Sequence, residues 1–299
     1  MIGSLATTPA LERGARLLAV AVAVLGVTLL VGAALSVSVR PDAEAYWLAA
    51  QRLREGLPLY GGTVGDETQV YRYAPWFAFL WVPLTYLGHD AAFALWRTVL
   101  FASTVAAIWP LVRRPTPASV TLAVLIGGLL VSSLPAANAT PLMVGALAIG
   151  LPRRVGPIVL GLVSSLKLFP LIFVAGYLAE RRWLHAAAAI GVTSMLWLHL
   201  LAFDVLVYTQ VGGPSFYVGG LSLSGVSPLL WGLVALGCLV LGLVLVRRRS
   251  PWTWLGAGAA IPLAVPRVWL PDAAYVLPGA IMLLRAIGAR RRQRGGDDS

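Results

Sequence analysis

Residues 17–37 read LLAVAVAVLGVTLLVGAALSV, and this stretch decides the fold. It holds 21 consecutive residues without a charge, and a helix that crosses a membrane needs about 20. Arg13 and Arg16 precede it, as basic residues also precede the apolar core of a signal peptide. Because the run is longer than such a core and no clear cleavage site follows, we expect an uncleaved first transmembrane helix.

The remainder of the 299-residue chain has the same apolar character. Apolar residues make up 59% of it, charged residues make up 12%, and the mean hydropathy is +0.82. Soluble domains carry about 25% charged residues and could not bury this much apolar surface. The composition therefore excludes a soluble globular enzyme, a disordered chain and a disulfide scaffold, since Cys238 is the single cysteine.

The positions of the arginines predict the topology. Arginine clusters separate most of the apolar runs, and the positive-inside rule places such clusters in the cytoplasm. Each cluster must then be separated from the next by an even number of crossings. The expected crossings are 17–37, 90–112, 117–134, 140–152, 155–166, 168–180, 183–203, 228–246, 251–265 and 272–288. The fold class is thus an all-α polytopic protein of the plasma membrane, with about ten transmembrane segments and both termini in the cytoplasm.

The net charge of +11 is explained by this topology. The inner side receives sixteen arginines and four acids, whereas the outer side receives seven basic and eight acidic residues. The basic excess is therefore an orientation signal, and nucleic acid is not an expected partner. We divide the chain into one transmembrane domain, 1–289, and a basic cytoplasmic tail, 290–299, that contacts anionic membrane lipid.

An extracytoplasmic loop, 38–89, carries many of the outer charges. We expect an amphipathic helix at the membrane surface from Asp42, which can cap its N-terminus, to the residue before Gly56. We expect a second juxtamembrane helix within 73–87, because a span there would move Arg113 to the outside.

Two apolar runs are shorter than a membrane crossing. The runs 140–152 and 155–166 cannot cross a core of about 30 Å, and interrupted segments of this kind line cavities at membrane depth. Lys167, the single lysine in the chain, directly follows the second run. A cation in such a place indicates a functional site.

Several short motifs resemble family 87 glycosyltransferases, polytopic enzymes of the GT-C superclass that include polyprenyl-phosphate-mannose-dependent mannosyltransferases. The motifs are Asp42-x3-Tyr46, Gly56-x-Pro-Leu-Tyr60, Tyr73-Ala-Pro75, Ala137-Asn138-Ala139-Thr140, Ser165-Leu-Lys-Leu-Phe-Pro170 and Pro266-Arg-Val-Trp-Leu-Pro-Asp272. They cover most of residues 30–290 in order. The chain departs from the family where relatives often read Gly-Gln-x-Asn, and where a His often follows the tryptophan that corresponds to Trp269.

The resemblance implies transfer of a sugar, with mannose favoured, from a polyprenyl-phosphate donor to an extracytoplasmic lipid or glycan acceptor. The transfer would invert the anomeric centre and use no cofactor. One carboxylate must take the acceptor proton, and Asp42 is our candidate, with Glu44 as its rival. The absence of an Asp-x-Asp pair from the sequence predicts no tight metal site.

The other candidate residues divide by chemistry. Lys167, Arg72 and Arg267 are basic residues that could neutralise the leaving phosphate. The sugar-binding candidates are Tyr46, Tyr73, Asn138 and Trp269.

Structural interpretations of the same residues remain open. Asp42 could serve only as a helix cap or ion-pair partner, Lys167 as a membrane anchor that extends to the interface, and Arg267 as a partner of Asp272. At the level of function, the alternative is a transporter or flippase of a lipid-linked or anionic solute. A transporter would often show internal repeats, and the sequence contains none that we detect.

Overall fold

The computed structural model describes residues 41–60, 71–113, 116–198, 223–266 and 268–296, and these contain helices and turns but no strand. The α-helices are α1 (Pro41–Arg54), α2 (Pro75–Trp81), α3 (His89–Val112), α4 (Pro117–Val131), α5 (Thr140–Gly150), α6 (Gly156–Leu166), α7 (Val174–Ala179), α8 (Trp183–Trp197), α9 (Pro228–Arg247), α10 (Trp252–Ala264) and α11 (Val276–Gly296). Four 3₁₀ segments are Val82–Tyr86, Phe169–Phe173, Leu223–Gly225 and Leu270–Tyr275. The expected first crossing, 17–37, and Arg267 lie outside the described residues.

Proline begins many of these helices, as the sequence leads one to expect. Helices α2, α4, α5, α6 and α9 each carry a proline in the first turn. Proline suits this place because its φ is already helical and the missing N–H has no partner there in any case. Thr116 and Ser227 cap α4 and α9, since each side-chain oxygen accepts a backbone N–H from the first turn.

Three helices of the described part are long and apolar enough to cross a membrane. They are His89–Val112, Pro228–Arg247 and the continuous helical stretch Leu270–Ala289. This agrees with an all-helical membrane protein. The ten expected crossings do not all appear as full-length helices, because five other apolar helices have only 10–17 residues.

Helix α9 shows the lipid-facing character most clearly. None of its twenty residues is buried, although nearly all of them are apolar. In water such a surface would drive aggregation, whereas lipid solvates it. The helix therefore suits a place at the periphery of a membrane domain.

The first loop contains the expected helix, α1, but this helix is more deeply buried than the sequence predicts. Helix α1 ends where Gly56 takes a positive φ of 70°. Pro41 already occupies its first position, so Asp42 lies in the first turn and the prediction that it caps the helix is corrected. Tyr46 and Ala50 are 1% and 0% exposed, so α1 packs inside the protein and is not a surface amphipathic helix.

An aromatic cluster fixes α1 against its neighbours. The Tyr46 ring lies at the centre, with centroid distances of 5.0 Å to Tyr73 and to Phe77, 5.4 Å to Trp81 and 6.1 Å to Trp96. The geometry of these contacts is edge-to-face, which aromatic rings prefer over parallel stacking. The segment that includes α2 and Val82–Tyr86 is thereby held against α1 and α3. At seven and five residues, its two helical pieces are too short to span.

The short helices α5 and α6 form a hairpin with chemically different ends. Helix α5 begins at Thr140 and is followed by Arg153, and α6 then returns to Lys167. Eleven residues of helix measure about 16 Å. Thr140 and Lys167 are therefore only about half a hydrocarbon core away from Arg153.

The basic tail does not begin at a structural break. Helix α11 continues through residue 290, the expected start of the tail, and ends at Gly296. The expected end of the last crossing, residue 288, therefore coincides with no end of a helix.

Cysteine labelling tests the orientation. In a Cys238→Ser background, Leu87→Cys and Val155→Cys each place a thiol at an exposed position, at opposite ends of the fold. We expect a membrane-impermeant maleimide added to intact cells to label Leu87→Cys, and to label Val155→Cys only after permeabilisation. The reverse pattern would contradict the topology.

Candidate functional site

Four separate segments of the chain meet in one cluster of polar side chains. The polar network, as we call it, consists of Asp42, Asn138, Thr140, Lys167 and Asp272. They come from the first turn of α1, the turn before α5 and its first residue, the residue after α6, and the 3₁₀ segment before α11. Sequence reasoning had assigned all four segments to the outer face, and the structure brings them into contact.

The first half of the network orients the Asp42 carboxylate. The Asn138 side-chain nitrogen donates to Asp42 Oδ2 over 3.0 Å. The Asn138 oxygen accepts from the Thr140 backbone N–H at 2.9 Å and lies 2.7 Å from the Thr140 hydroxyl. Because Thr140 holds the oxygen, the amide must present its nitrogen to Asp42. A donor of this kind stabilises the ionised carboxylate.

The second half of the network is an ion pair. Lys167 Nζ lies 3.3 Å from Asp272 Oδ1 and 3.2 Å from the Thr140 hydroxyl oxygen. Asp272 Oδ2 accepts the Trp269 backbone N–H at 3.0 Å. Side-chain exposure is 2% for Asp272 and 18% for Lys167. Thr140 thus links the carboxylate of Asp42, through Asn138, to the ammonium of Lys167.

The ion pair keeps Lys167 charged. Burial lowers the pKa of Lys167, but Asp272, together with the neighbouring Tyr73 and Asp42, raises it by more, so the pKa lies above that of an ordinary lysine. The ammonium is therefore present at neutral pH. An ammonium has three N–H donors, of which two serve Thr140 and Asp272, leaving one for a ligand oxygen.

A strained turn places Asn138. Ala137 has a positive φ of 52°, a left-handed conformation that costs an alanine about 1–2 kcal/mol. The turn closes with hydrogen bonds from Ala137 N to Leu134 O and from Asn138 N to Ser133 O. The Trp96 indole donates to the Ala137 carbonyl at 2.9 Å. Strain of this kind persists only where the surroundings enforce it, and it is common at functional sites.

Two tyrosines lie beside the network. Tyr46 and Tyr73 are 1% and 7% exposed, and burial is the main reason that the pKa of each hydroxyl is raised. Both hydroxyls are therefore neutral donors at physiological pH. The Tyr46 hydroxyl makes no hydrogen bond of good geometry within the described residues, although Tyr73 and the backbone of Ala139 are close to it. A buried polar atom without a partner is rare and suits an absent ligand.

The remaining candidates lie apart from this centre or at its edge. Glu44 pairs with His89 at 3.0 Å, so the rival carboxylate is engaged elsewhere. Trp269 contributes its backbone N–H to Asp272, and the residue is 43% exposed. Arg72 is half-buried and adjacent to Tyr73 in the chain.

Sequence reasoning missed two members of the network, Thr140 and Asp272, as site residues. The signal for Asp272 was present, because a lysine within apolar sequence needs a counter-charge and Asp272 begins an apolar run. Thr140 could not be found in this way, since a threonine at a helix start is common.

Similarity to known proteins does not indicate a function for this chain. No family model, curated protein or solved structure matches the chain. Within the described ranges there is also no group of three or more His, Cys, Asp or Glu side chains that could hold a metal ion. What the site does must therefore be argued from its geometry.

The Lys167–Asp272 pair gives a stability prediction. Asp272→Asn leaves a largely buried ammonium without its counter-charge, so we expect a loss of about 3 kcal/mol in the free energy of unfolding. The double variant Lys167→Met/Asp272→Leu should recover most of this loss, because it buries no charge. Unfolding in lipid-containing micelles, followed by circular dichroism, measures both.

Arg182→Gln is the matched control for this test. It breaks a partly exposed pair with Glu180, whose closest atoms are 3.5 Å apart, and should cost less than about 1 kcal/mol. If Asp272→Asn is no more destabilising than this control, the buried pair is not a structural constraint.

Proposed function

We propose that the protein is an integral membrane glycosyltransferase that transfers a sugar, with mannose favoured, from a polyprenyl-phosphate donor to an extracytoplasmic lipid or glycan acceptor. The observation that supports this is the polar network: a carboxylate oriented by an amide is connected to a charged lysine through three hydrogen bonds. The order of motifs along the chain, which resembles family 87, supports the same reaction. The proposal includes a GT-C-like arrangement of about ten membrane segments, several of them shorter than the bilayer.

A purely structural role accounts poorly for this network. Placing charged groups within an apolar fold costs free energy, and well-packed apolar residues are often equally stabilising. Ionisable groups at membrane depth are accordingly rare and associated with substrates or ions. Asp42, Lys167 and Asp272 together are thus better explained by a reaction than by stability.

The proposed chemistry begins at Asp42. Its carboxylate takes the proton of the acceptor hydroxyl as that oxygen attacks the anomeric carbon from the face opposite the phosphate. The new glycosidic C–O bond forms while the bond from the anomeric carbon to the phosphate oxygen breaks. The electron pair leaves with the polyprenyl phosphate, the proton remains on Asp42, and the configuration inverts. No second carboxylate is needed to protonate the leaving group, because phosphate leaves as an anion.

The leaving phosphate needs positive charge. Lys167 retains one N–H donor for a phosphate oxygen, and Asp272 holds the ammonium in place. Arg72, which precedes Tyr73, is the second proposed phosphate ligand, and Arg267 is the third. Fixed charges of this kind stabilise a developing anion without reorganisation during the reaction.

The sugar lies, in this proposal, against the tyrosines. The Tyr46 hydroxyl, which makes no hydrogen bond of good geometry within the described residues, donates to a sugar hydroxyl, and Tyr73 and Trp269 contribute aromatic surface. Because α5 and α6 are short, the site lies toward the middle of the membrane in this proposal. The donor phosphate can then reach Lys167 while its polyprenyl chain stays in lipid.

Asp42→Asn tests the reaction directly. Purified protein in liposomes is supplied with radiolabelled polyprenyl-phosphate mannose and a crude lipid acceptor fraction. We expect the initial rate of transfer to fall at least about 100-fold, because the amide cannot accept the proton. Asp90→Asn, which removes an exposed carboxylate from the start of α3, should transfer within about twofold of the wild type.

Two outcomes would contradict the proposal. If Asp42→Asn transfers sugar at the wild-type rate, Asp42 is not the catalytic base. If the wild type transfers no sugar but exchanges a lipid-linked or anionic solute across the liposome membrane, the transporter alternative is correct.

Tyr46→Phe gives a second, independent prediction. Because the Tyr46 hydroxyl makes no hydrogen bond of good geometry within the described residues, its removal should leave thermal stability unchanged or slightly raised, while it weakens donor binding by about fivefold to tenfold. Tyr60→Phe is the control: its hydroxyl donates to the Tyr73 carbonyl at 2.9 Å, so its loss should lower stability by about 1 kcal/mol. If Tyr46→Phe binds the donor as the wild type does, the hydroxyl has no role in binding.

A further inference from the structure

A groove of about 750 Å³ runs along α3 from Thr98 to Arg113, and its arginine-bearing end lies away from the polar network. Helix α3 forms one wall, the end of α5 and the turn after it form the other, and Ile281 of α11 contributes to the lining. The lining is apolar along most of its length, and Arg113 and Arg153 stand at one end. The proposed reaction uses none of these residues.

The groove has the length of a lipid chain. On α3 its lining runs from Thr98 to Arg113, with contacts every three or four residues, which is one face of the helix. Fifteen residue steps of helix measure about 22 Å. One leaflet of the hydrocarbon core is about 15 Å deep, so the groove covers a leaflet and reaches the headgroup level.

The two arginines have no side-chain partner among the residues that the structure describes. Both are exposed, and their side chains make no ion pair or hydrogen bond with any other described residue. Elsewhere at this end of the fold, Arg182 pairs with Glu180 and covers the Tyr177 ring. Arg113 and Arg153 therefore offer two unneutralised guanidinium groups beside an apolar surface.

Arg113 and Arg153 could also belong to a general basic surface, which requires no groove. Arginines at the ends of α3 and α5 also suit the negative ends of those helix dipoles, and positive-inside residues are usually solvated. Here, however, both border a single apolar channel, and Trp109 lies on the same lining, 59% exposed, one turn from Arg113. Aromatic side chains of this kind mark the headgroup level of a membrane.

We propose that this groove binds one anionic phospholipid of the inner leaflet. The guanidinium groups of Arg113 and Arg153 hold the phosphate, and one acyl chain follows the face of α3 between Trp109 and Thr98. Charge complementarity selects this occupant, because a zwitterionic lipid gains less from two adjacent cations and a second copy of the chain would bring the same arginines together. The inference rests on the membrane location of the protein and is independent of the sugar-transfer reaction.

A lipid bound in the groove would stabilise the position of α5. That helix carries Thr140 of the polar network at its other end and is only eleven residues long. A lipid between α3 and the end of α5 would fill the space left between them and steady the helix that positions Thr140.

The test is native mass spectrometry of the full chain released from nanodiscs of mixed phosphatidylglycerol and phosphatidylcholine. We expect the wild type to retain one phosphatidylglycerol. Arg113→Gln/Arg153→Gln should retain it about 25-fold more weakly, from two contacts that each contribute about fivefold. Arg247→Gln/Arg248→Gln removes the same charge from exposed positions that do not line the groove, and should bind as the wild type does.

A variant that keeps both arginines separates the groove from charge alone. Ala102→Phe places a ring in the apolar channel and should also release the lipid, with both arginines present. The proposal is overturned if the two double variants lose lipid equally, if Ala102→Phe retains it, or if phosphatidylcholine is retained as well as phosphatidylglycerol. Preferential retention of an added polyprenyl phosphate would overturn it as well.

Discussion

Lys167 and Asp272 form a largely buried ion pair at the centre of the polar network. They are 105 residues apart in sequence, so their contact joins the end of α6 to the start of α11. Thr140 lies against both, which brings in α5, and Asn138 extends the contact to Asp42 on α1. If either charge were absent, the other would be buried without a counter-charge. The contact between these segments would then be destabilised.

The length of the helices determines where this centre lies. Because α5 and α6 have eleven residues each, the polar network is about 16 Å from the arginine-bearing turn that joins them. The neighbouring helix α3, with twenty-four residues, is long enough to cross a bilayer. In the proposed function, this difference in helix length lets a polar headgroup reach the polar network while an attached hydrocarbon chain remains in lipid.

The sequence predicted the helices better than it predicted the contacts between them. Apolar runs, prolines and arginine clusters located α3, α5, α6 and α9 within a few residues, since composition acts locally. Lys167 could be singled out because it is the single lysine in an apolar stretch. Its need for a counter-charge was readable, but the pairing with Asp272 was not, because the two residues are 105 positions apart and nothing local links them. The burial of α1 was also missed, since the aromatic residues that cover it are distant in sequence.

The central claim is that the polar network binds a polyprenyl-phosphate sugar between Lys167 and Asp42. The most direct measurement is a cryo-electron microscopy structure of the protein in nanodiscs with a non-hydrolysable polyprenyl-phosphonate sugar. The account predicts a phosphonate oxygen about 3 Å from Lys167 Nζ and the anomeric carbon turned toward the Asp42 carboxylate. An analogue bound with its phosphonate elsewhere, with Lys167 and Asp272 in contact only with each other, would contradict it.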